Sequence, residues 1–396
     1  MNMRNADHSP SIYLDGFASL PLAPEARAAM LAVWDIPGNA GSPNQSGERA
    51  AAIIAEGRAE VAELIGAAPS EIIFTSGATE ANNLAIVGVV NAVAGHQPYR
   101  RRIVLSAIEH KAVIEPAEQL KKHGFIVEFA PVDRSGTLDL EAFGHLLGDD
   151  VLLASVMLVN NETGIVQPVG EAAELAHAYG ALFHCDAAQG VGKIAVDVLD
   201  LDVDYLSLSG HKCYGPMGIG ALYVSAGATK PVPLMFGGGQ QAGARPGTEP
   251  VALIAGFGAA ASVARSRLIE DQNHGSALIS KLLNGLRDRQ VRLSTVNRHA
   301  PTVPGGVAVS FPGVDGDALC SMIARHVSLS TGSACTAGQI RTSHVLEAIG
   351  FSATEARSVV RIFCNRYTAA AEIDKAIDVI SDAIHRSLLA TGEVRQ

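Results

Sequence analysis

Between residues 71 and 224 short apolar runs alternate with helical stretches, and this alternation leaves the chain few folds to choose from. The runs cover residues 71–74, 102–106, 125–129, 151–159, 181–185, 205–208 and 218–224, and helical stretches such as 170–179 separate most of them. Strands joined through helices lie parallel and are covered on both faces, so this order predicts an α/β fold with a mostly parallel, buried sheet flanked by helices. An open sheet of that kind takes its ligand at the carboxyl ends of the strands. The residues just after each run are therefore where chemistry is expected.

Before this block come a brief strand at Ile12-Tyr13-Leu14-Asp15, a helix over 25–33, a loop at Gly38-Asn39-Ala40-Gly41-Ser42-Pro43-Asn44, and an Ala-rich helix over 48–65 that Gly66 ends. Past Gly237-Gly238-Gly239 and the turn Arg245-Pro246-Gly247-Thr248, an apolar helix over 251–267 leads toward an amphipathic one ending near Gln290. We expect a large domain over 15–265. Residues 1–14 and 266–396 make up the expected smaller α+β domain, with a strand over 306–311, a mobile loop at about 330–343 and a closing helix over 370–389.

Composition excludes some roles. The chain has 396 residues, 48% of them hydrophobic, which is ample for a large core. Its net charge of -10, with no basic block beyond Arg100-Arg101-Arg102, argues against direct nucleic-acid binding. The polar leader over 1–10 and the short Gly- and Ala-rich run over 251–264 argue against a signal peptide and a membrane span, so a cytoplasmic protein is expected. Cys185, Cys213, Cys320, Cys335 and Cys364 form no CxxC pair and suit reduced thiols.

The segment Ser207-Leu208-Ser209-Gly210-His211-Lys212-Cys213-Tyr214-Gly215-Pro216 runs a strand into a glycine-bounded loop. An amine held there partly desolvated has a lowered pKa and traps carbonyls; a solvated lysine capping a strand end is the alternative. Phe74-Thr75-Ser76-Gly77-Ala78-Thr79-Glu80 aims backbone N–H groups at one point and suits a phosphate, and N-capping by Ser76 or Thr79 is compatible with that. Asp186 could bond a pyridine N–H, or cap a helix, and Gln189 could reach the ring's phenolic oxygen. His110 could stack on a cofactor ring and move protons, or be structural. Asn161 offers an amide at a strand end, or a polar turn. His184 and Cys185 point to opposite faces of a strand and make a poor metal pair. Gly190-Val191-Gly192-Lys193 lacks the Gly and Ser/Thr that a phosphate loop needs at 187 and 194. Cys335, among small residues without a large apolar anchor, suits a moving thiol better than a core filler. Arg361, inside the apolar run Val359-Val360-Arg361-Ile362-Phe363, requires an anion, either a substrate carboxylate or an internal partner.

Along nearly the whole chain these stretches resemble the cysteine desulfurases of the NifS/IscS group, which are pyridoxal 5'-phosphate (PLP) enzymes of the class V aminotransferase family with fold type I. The resemblance is carried by Tyr13-Leu14-Asp15, Gly38-Asn39, Phe74 to Glu80, Glu109-His110-Lys111, Val159 to Gly164, Asp186-Ala187-Ala188-Gln189, Ser209-Gly210-His211-Lys212, Tyr214-Gly215-Pro216, Gly247-Thr248 and Gly332-Ser333-Ala334-Cys335-Thr336. The long run of small residues around Cys335 is similar to that of the long catalytic-loop type. The resemblance implies that Lys212 holds PLP covalently, His110 stacks and handles protons, Asp186 meets the pyridine nitrogen, and Gln189 the phenolic oxygen. Thr79, Ser209 and His211 would hold the phosphate with Thr248 of the second subunit of a homodimer, and Ala78 would bind the cofactor beside them. Asn161 and Arg361 would orient cofactor and substrate carboxylate, Asn39 would bind the substrate, and Cys335 would become a persulfide, with His110 assisting its thiol. The implied reaction converts L-cysteine to L-alanine and passes sulfur to an acceptor protein, for iron–sulfur cluster assembly or another thio-modification. No resident metal is expected; a transient iron–sulfur cluster shared between Cys335 and a partner is the one metal role left open. A selenocysteine lyase or other aminotransferase-type PLP enzyme is the alternative within the fold, and a catalytically silent sulfur-transfer scaffold the alternative outside it. Departures from the family pattern at Leu20, Asn44 and Pro246 are expected at the substrate mouth, and Cys364 adds a thiol near Arg361. By the same resemblance, no scaffold-docking tail of the kind some relatives carry is expected after the 370–389 helix.

Overall fold

The computed structural model describes residues 11–332 and 342–391, so Ser333, Ala334, Cys335 and Thr336 lie outside the described residues. Twelve strands are described: β1 (Ile12–Tyr13), β2 (Ile72–Thr75), β3 (Arg102–Ser106), β4 (Ile126–Ala130), β5 (Val151–Ser155), β6 (Leu182–Asp186), β7 (Tyr205–Ser209), β8 (Gly220–Val224), β9 (Ser294–Thr295), β10 (Gly306–Ser310), β11 (Val327–Ser328) and β12 (Val359–Phe363). Seven of them form one sheet in the order β2-β8-β7-β6-β5-β3-β4. β8 lies antiparallel between β7 and β2, and the other pairs are parallel. β2 thus runs with the parallel set, and its carboxyl end opens on the same edge as those of β3, β5, β6 and β7. The α/β architecture with a mostly parallel sheet is as expected.

The strands β5, β7 and β8 are buried at every position, as strands covered on both faces must be. Most expected strand ends move by one or two residues, and two of the shifts bear on the site. β5 ends at Ser155, short of 159, because the chain beyond turns back on itself: Asn160 N bonds Ile165 O at 3.0 Å and Gln167 N bonds Leu158 O at 2.9 Å. Asp186 is the last residue of β6 and not the first beyond it, so the ladder holds its backbone.

The expected pair of helices after residue 250 is one continuous helix, Val251–Asp288, of 38 residues. Its length and composition would allow it to cross a membrane, so the shortness expected of the 251–264 run is not what governs it. Instead Ile254, Phe257, Ala260 and Ala261 are buried against the large sheet's core, each large side chain stabilising the fold by about 1.5–3 kcal/mol. Its crossing with the helix Gln45–Glu63 is close: a Cβ on Gly258 would stand 2.7 Å from the Gly57 Cα. Larger residues there would push the two helices apart.

The C-terminal part of the same helix packs on a second core with Leu14, Phe311, Leu319 and Ile380. There β12, β10 and β9 form an antiparallel sheet, and β1 pairs in parallel with β11. One helix therefore belongs to both cores and carries the expected boundary at residue 265 within it.

Candidate active site

A cavity of about 610 Å³ opens at the carboxyl edge of the large sheet. Five strand ends supply it in sequence order: Ser76 to Thr79 after β2, His110 after β3, Met157 to Asn161 after β5, Asp186 to Gln189 from β6, and Ser209 to Lys212 from β7. Phe17, Ala18, Ser19, Gly332 and Arg361 close it from the other side. Of the residues singled out from sequence, Ala78, Thr79, His110, Asn161, Asp186, Gln189, Ser209, His211, Lys212 and Arg361 all line it. Asn39 and Thr248 do not. Asn39 folds back locally, its Oδ1 accepting from Gly41 N at 3.0 Å. Cys335 lies outside the described residues, three positions beyond Gly332.

Lys212 ends a short 3₁₀ turn, Gly210–Lys212, directly after β7. Its Nζ donates to the backbone oxygens of Phe17 and, at 2.8 Å, Ala18. Burial lowers its pKa to about 8, with Arg361 adding to the effect and Asp15 and Asp186 opposing it. An amine of that strength exchanges protons readily near neutral pH. Cys213, the adjacent thiol, is fully buried and pushed up to about 12, which leaves it inert.

Asp186 is buried at 5% exposure, with Oδ2 accepting from Asn82 Nδ2 at 2.7 Å and Oδ1 from Ala188 N at 3.0 Å. His110 caps the helix Lys111–Leu120, its Nδ1 accepting from Ala112 N at 3.1 Å. A backbone N–H can only donate, so the neutral ring keeps its proton on Nε2. Burial lowers its pKa and favours that neutral form. His110 is thus built to donate from Nε2. His211, pushed down to about 4 by burial and by Lys212, is likewise neutral, with Nδ1 3.1 Å from Ser19 Oγ.

Arg361 lies mid-strand in β12. Its Nε donates to Ser330 Oγ at 2.8 Å and one terminal nitrogen to Asn161 O at 3.2 Å, and Asp15 stands 3.5 Å away. The internal partner left open by sequence is therefore present, and Arg361 still reaches the cavity. Behind it Glu162 is buried, with its pKa raised to about 7 by desolvation, and accepts from Ser343 Oγ.

The departures at Leu20, Asn44 and Pro246 do not line this cavity. Leu20 is a core residue, and Asn44 is the N-cap of the helix Gln45–Glu63, its Oδ1 accepting from Gly47 N at 2.9 Å. Pro246 borders a neighbouring hollow with Arg245 and Leu234. Cys364 is buried in the second core.

Sequence reasoning missed Asn82, although three positions after Thr79 puts it on the same helical face. It also missed Phe17 and Ala18, which act through backbone oxygens that no side-chain pattern records.

The model of the family described as Aminotransferase class-V matches residues 12–376. The chain belongs to that family. The chain is 39% identical to Cysteine desulfurase IscS of Rickettsia akari (strain Hartford), over 98% of this chain and 94% of that one. Among solved structures it is similar to a NifS-like protein, with TM-score 0.87 and 32% identity over 95% of this chain and 100% of that one. It is also similar to SspA in complex with cysteine, with TM-score 0.78 and 34% identity over 91% of this chain and 100% of that one.

The cofactor of a class-V aminotransferase of this kind is PLP, and the cavity's residues fit it. Lys212 offers an amine of lowered pKa and Asp186 a buried carboxylate. Gly77 has φ +153°, and a Cβ there would meet only Ser209 Oγ, at 3.8 Å. That leaves an open glycine cradle at the start of the helix Ala78–Asn83, where backbone N–H groups lack intrahelical acceptors and suit an anion.

Proposed function

We propose that this protein is a cysteine desulfurase that converts L-cysteine to L-alanine and takes the sulfur onto Cys335. The observation that carries the reading is Lys212: a half-buried amine of lowered pKa just after β7, in one cavity with Asp186, His110 and Arg361. Lys212 would hold PLP, with Asp186 at the ring nitrogen, Gln189 near the phenolic oxygen, and Ala78, Thr79, Ser209 and His211 at the phosphate. PLP supplies an electron sink that weakens bonds at the substrate's carbons. The Lys212 amine, when free, would take and return a proton at the substrate's Cα. Arg361 and Asn161 orient the substrate carboxylate, and His110 donates from Nε2. The substrate's C–S bond would break as its sulfur bonds to the Cys335 thiolate; the electron pair stays with the carbon, which takes up a proton in place of the one the thiol releases, so cysteine and one thiol give alanine and one persulfide. Gly332 at the cavity wall supports the role of Cys335, which follows it closely in sequence.

The finer points of the reading are ours as well. A homodimer is supported by exposed Met235 and Phe236, at 48% and 88% exposure, near the hollow that Thr79 and Arg245 line beside the cavity. Thr248 would join the phosphate site of the other subunit, and Asn39 the substrate side. The persulfide would go to an acceptor protein, for iron–sulfur cluster assembly or another thio-modification. A cytoplasmic setting suits the free thiols Cys185, Cys213, Cys320 and Cys364. The division into 15–265 and 1–14 with 266–396 is supported by a core drawn wholly from Leu14 and residues 278–384, and a smaller cluster joins Ile108 and Met157 to Ala308 and Val359 across it.

The test is to incubate the purified holoenzyme with L-cysteine, measure alanine, and map persulfide by mass spectrometry. Alanine together with persulfide on Cys335 is expected. Persulfide confined to other cysteines, or no alanine at all, would sink the reading.

A further inference from the structure

Lys193 is buried, at 5% exposure, yet it does not line the cavity. It ends the turn Gly190-Val191-Gly192-Lys193, whose likeness to a phosphate loop is superficial. Its Nζ donates to Gln189 Oε1 at 2.9 Å and to the Gln189 backbone oxygen at 3.1 Å. Its own backbone oxygen accepts from Gln272 Nε2 at 3.0 Å, which ties the turn to the helix Val251–Asp288. Burial lowers its pKa to about 7, with Lys212 the next contributor. Gln189 is held at its other end as well, since its Nε2 donates to Phe17 O at 2.8 Å. That carbonyl is the one that also accepts from Lys212 Nζ. One line of hydrogen bonds therefore runs from a lysine outside the cavity, through Gln189 and Phe17, to the lysine inside it.

A glutamine amide can present either its oxygen or its N–H groups, and the two ends are nearly the same size. Below about pH 7 Lys193 is an ammonium, with three donors and no acceptor, and can meet only the oxygen; the neutral amine still has two N–H donors, one for each of the two Gln189 oxygens it faces. We propose that Lys193 is a positioning residue: by holding Gln189 Oε1 it makes Gln189 present N–H donors, and not its carbonyl, to Phe17 and to the cavity beside Lys212. When Lys212 is bonded to PLP it has given up hydrogens, and Gln189 remains the donor that keeps the Phe17 carbonyl in place. The inference rests on the cavity as a PLP site and not on cysteine as the substrate.

Without Lys193 the amide is free to turn. Its oxygen then stands near the Lys212 nitrogen and favours a proton there, which raises the pH at which that nitrogen titrates. Arg361, Asp15, Asp186, His110 and His211, which face Lys212, and Cys213, which faces Lys193, are kept in each variant, and the double variant separates the turned amide from the loss of the Lys193 charge itself. The experiment follows the visible absorption of the holoenzyme against pH with no substrate present. Lys193→Met is expected to raise the midpoint by about one pH unit, and Lys193→Arg, still a donor without an acceptor, to keep the wild-type value. Lys193→Ala, which leaves space where methionine fills it, is expected to shift as Lys193→Met does, and it keeps the test open if the methionine variant misfolds. If Lys193 acts through Gln189, the Lys193→Met/Gln189→Ala double variant shifts no further than Gln189→Ala alone. A wild-type midpoint in Lys193→Met and Lys193→Ala, or a double variant that shifts by the sum of the singles, overturns the proposal. Because substrate is absent, this result and the cysteine assay stand or fall separately.

Discussion

One side of the cavity is made from strand ends of a single sheet, where Asp186 and Ser209 are themselves the last ladder residues and His110 caps a helix. The opposite side draws on separate pieces of chain, Phe17 to Ser19, Gly332 and Arg361, joined through Asp15, Ser330 and Glu162. Backbone hydrogen bonds of the sheet leave the first side little freedom. The second side has backbone bonds too, such as Arg361 N to Ser330 O, but its pieces come from different segments and its side chains link Arg361, Ser330 and Asp15, and side chains rotate at small cost. A cofactor that must stay benefits from the first kind of construction, and a substrate that must come and go from the second.

That contrast can be broken or sharpened by substitution. The largest effect is expected on the sheet side: Lys212→Ala should lower alanine formation by about 10³-fold or more, and should abolish the covalent cofactor absorption while circular dichroism stays that of the wild type. Across the cavity, Arg361→Gln should raise the KM for L-cysteine by about 10²-fold, which is about 3 kcal/mol, with the cofactor's absorption unchanged. A loss of cofactor in that variant would mean that the two sides do not divide the work.

Glu162 gives a smaller effect, on stability. Its native pKa of about 7 lies above its ordinary value of 4.5, so between those pH values the folded state binds a proton that the unfolded state lacks. The stability this contributes is fully present below about pH 4.5, falls as pH rises, and is gone above about pH 7, a change of at most about 3 kcal/mol. Glu162→Gln should remove that slope and be more stable than wild type at pH 8, as read from urea midpoints at pH 5 and 8. The smallest effect is expected from Gly332→Ala, whose Cβ would meet Glu162 Oε2 at 2.1 Å. Displacing that carboxylate should slow persulfide formation about tenfold, or ~1.4 kcal/mol, and leave the cofactor spectrum intact. An unchanged rate would show that the Glu162 contact does not govern the loop's service.

Much of the site could be read before folding because its residues follow strands. A run such as 102–106 or 205–208 announces its end, and an α/β sheet puts those ends on one edge; Asp186, His110 and Lys212 were found this way. Other members carry no such mark. Asn82 looks like any polar residue on a helix. Lys193 was set aside because its motif was incomplete, and the hydrogen bond that gives it a place depends on how a turn closes. The Phe17 and Ala18 carbonyls belong to the backbone, and any residue types could have supplied them.

The amino-acid sequence by itself determined the alternating architecture, the strand-end chemistry and the family, since all three depend on local patterns of residue type. Only the tertiary structure decided which departures matter: Leu20 and Asn44 went to a core and a helix cap, because burial and capping partners come from distant segments. It likewise decided the proton state of His110, through one backbone N–H, and the orientation of Gln189, through one buried ammonium. A hydrogen bond selects one of two chemically similar states only when folding brings its partner within about 3 Å, and no pattern along the chain encodes that distance.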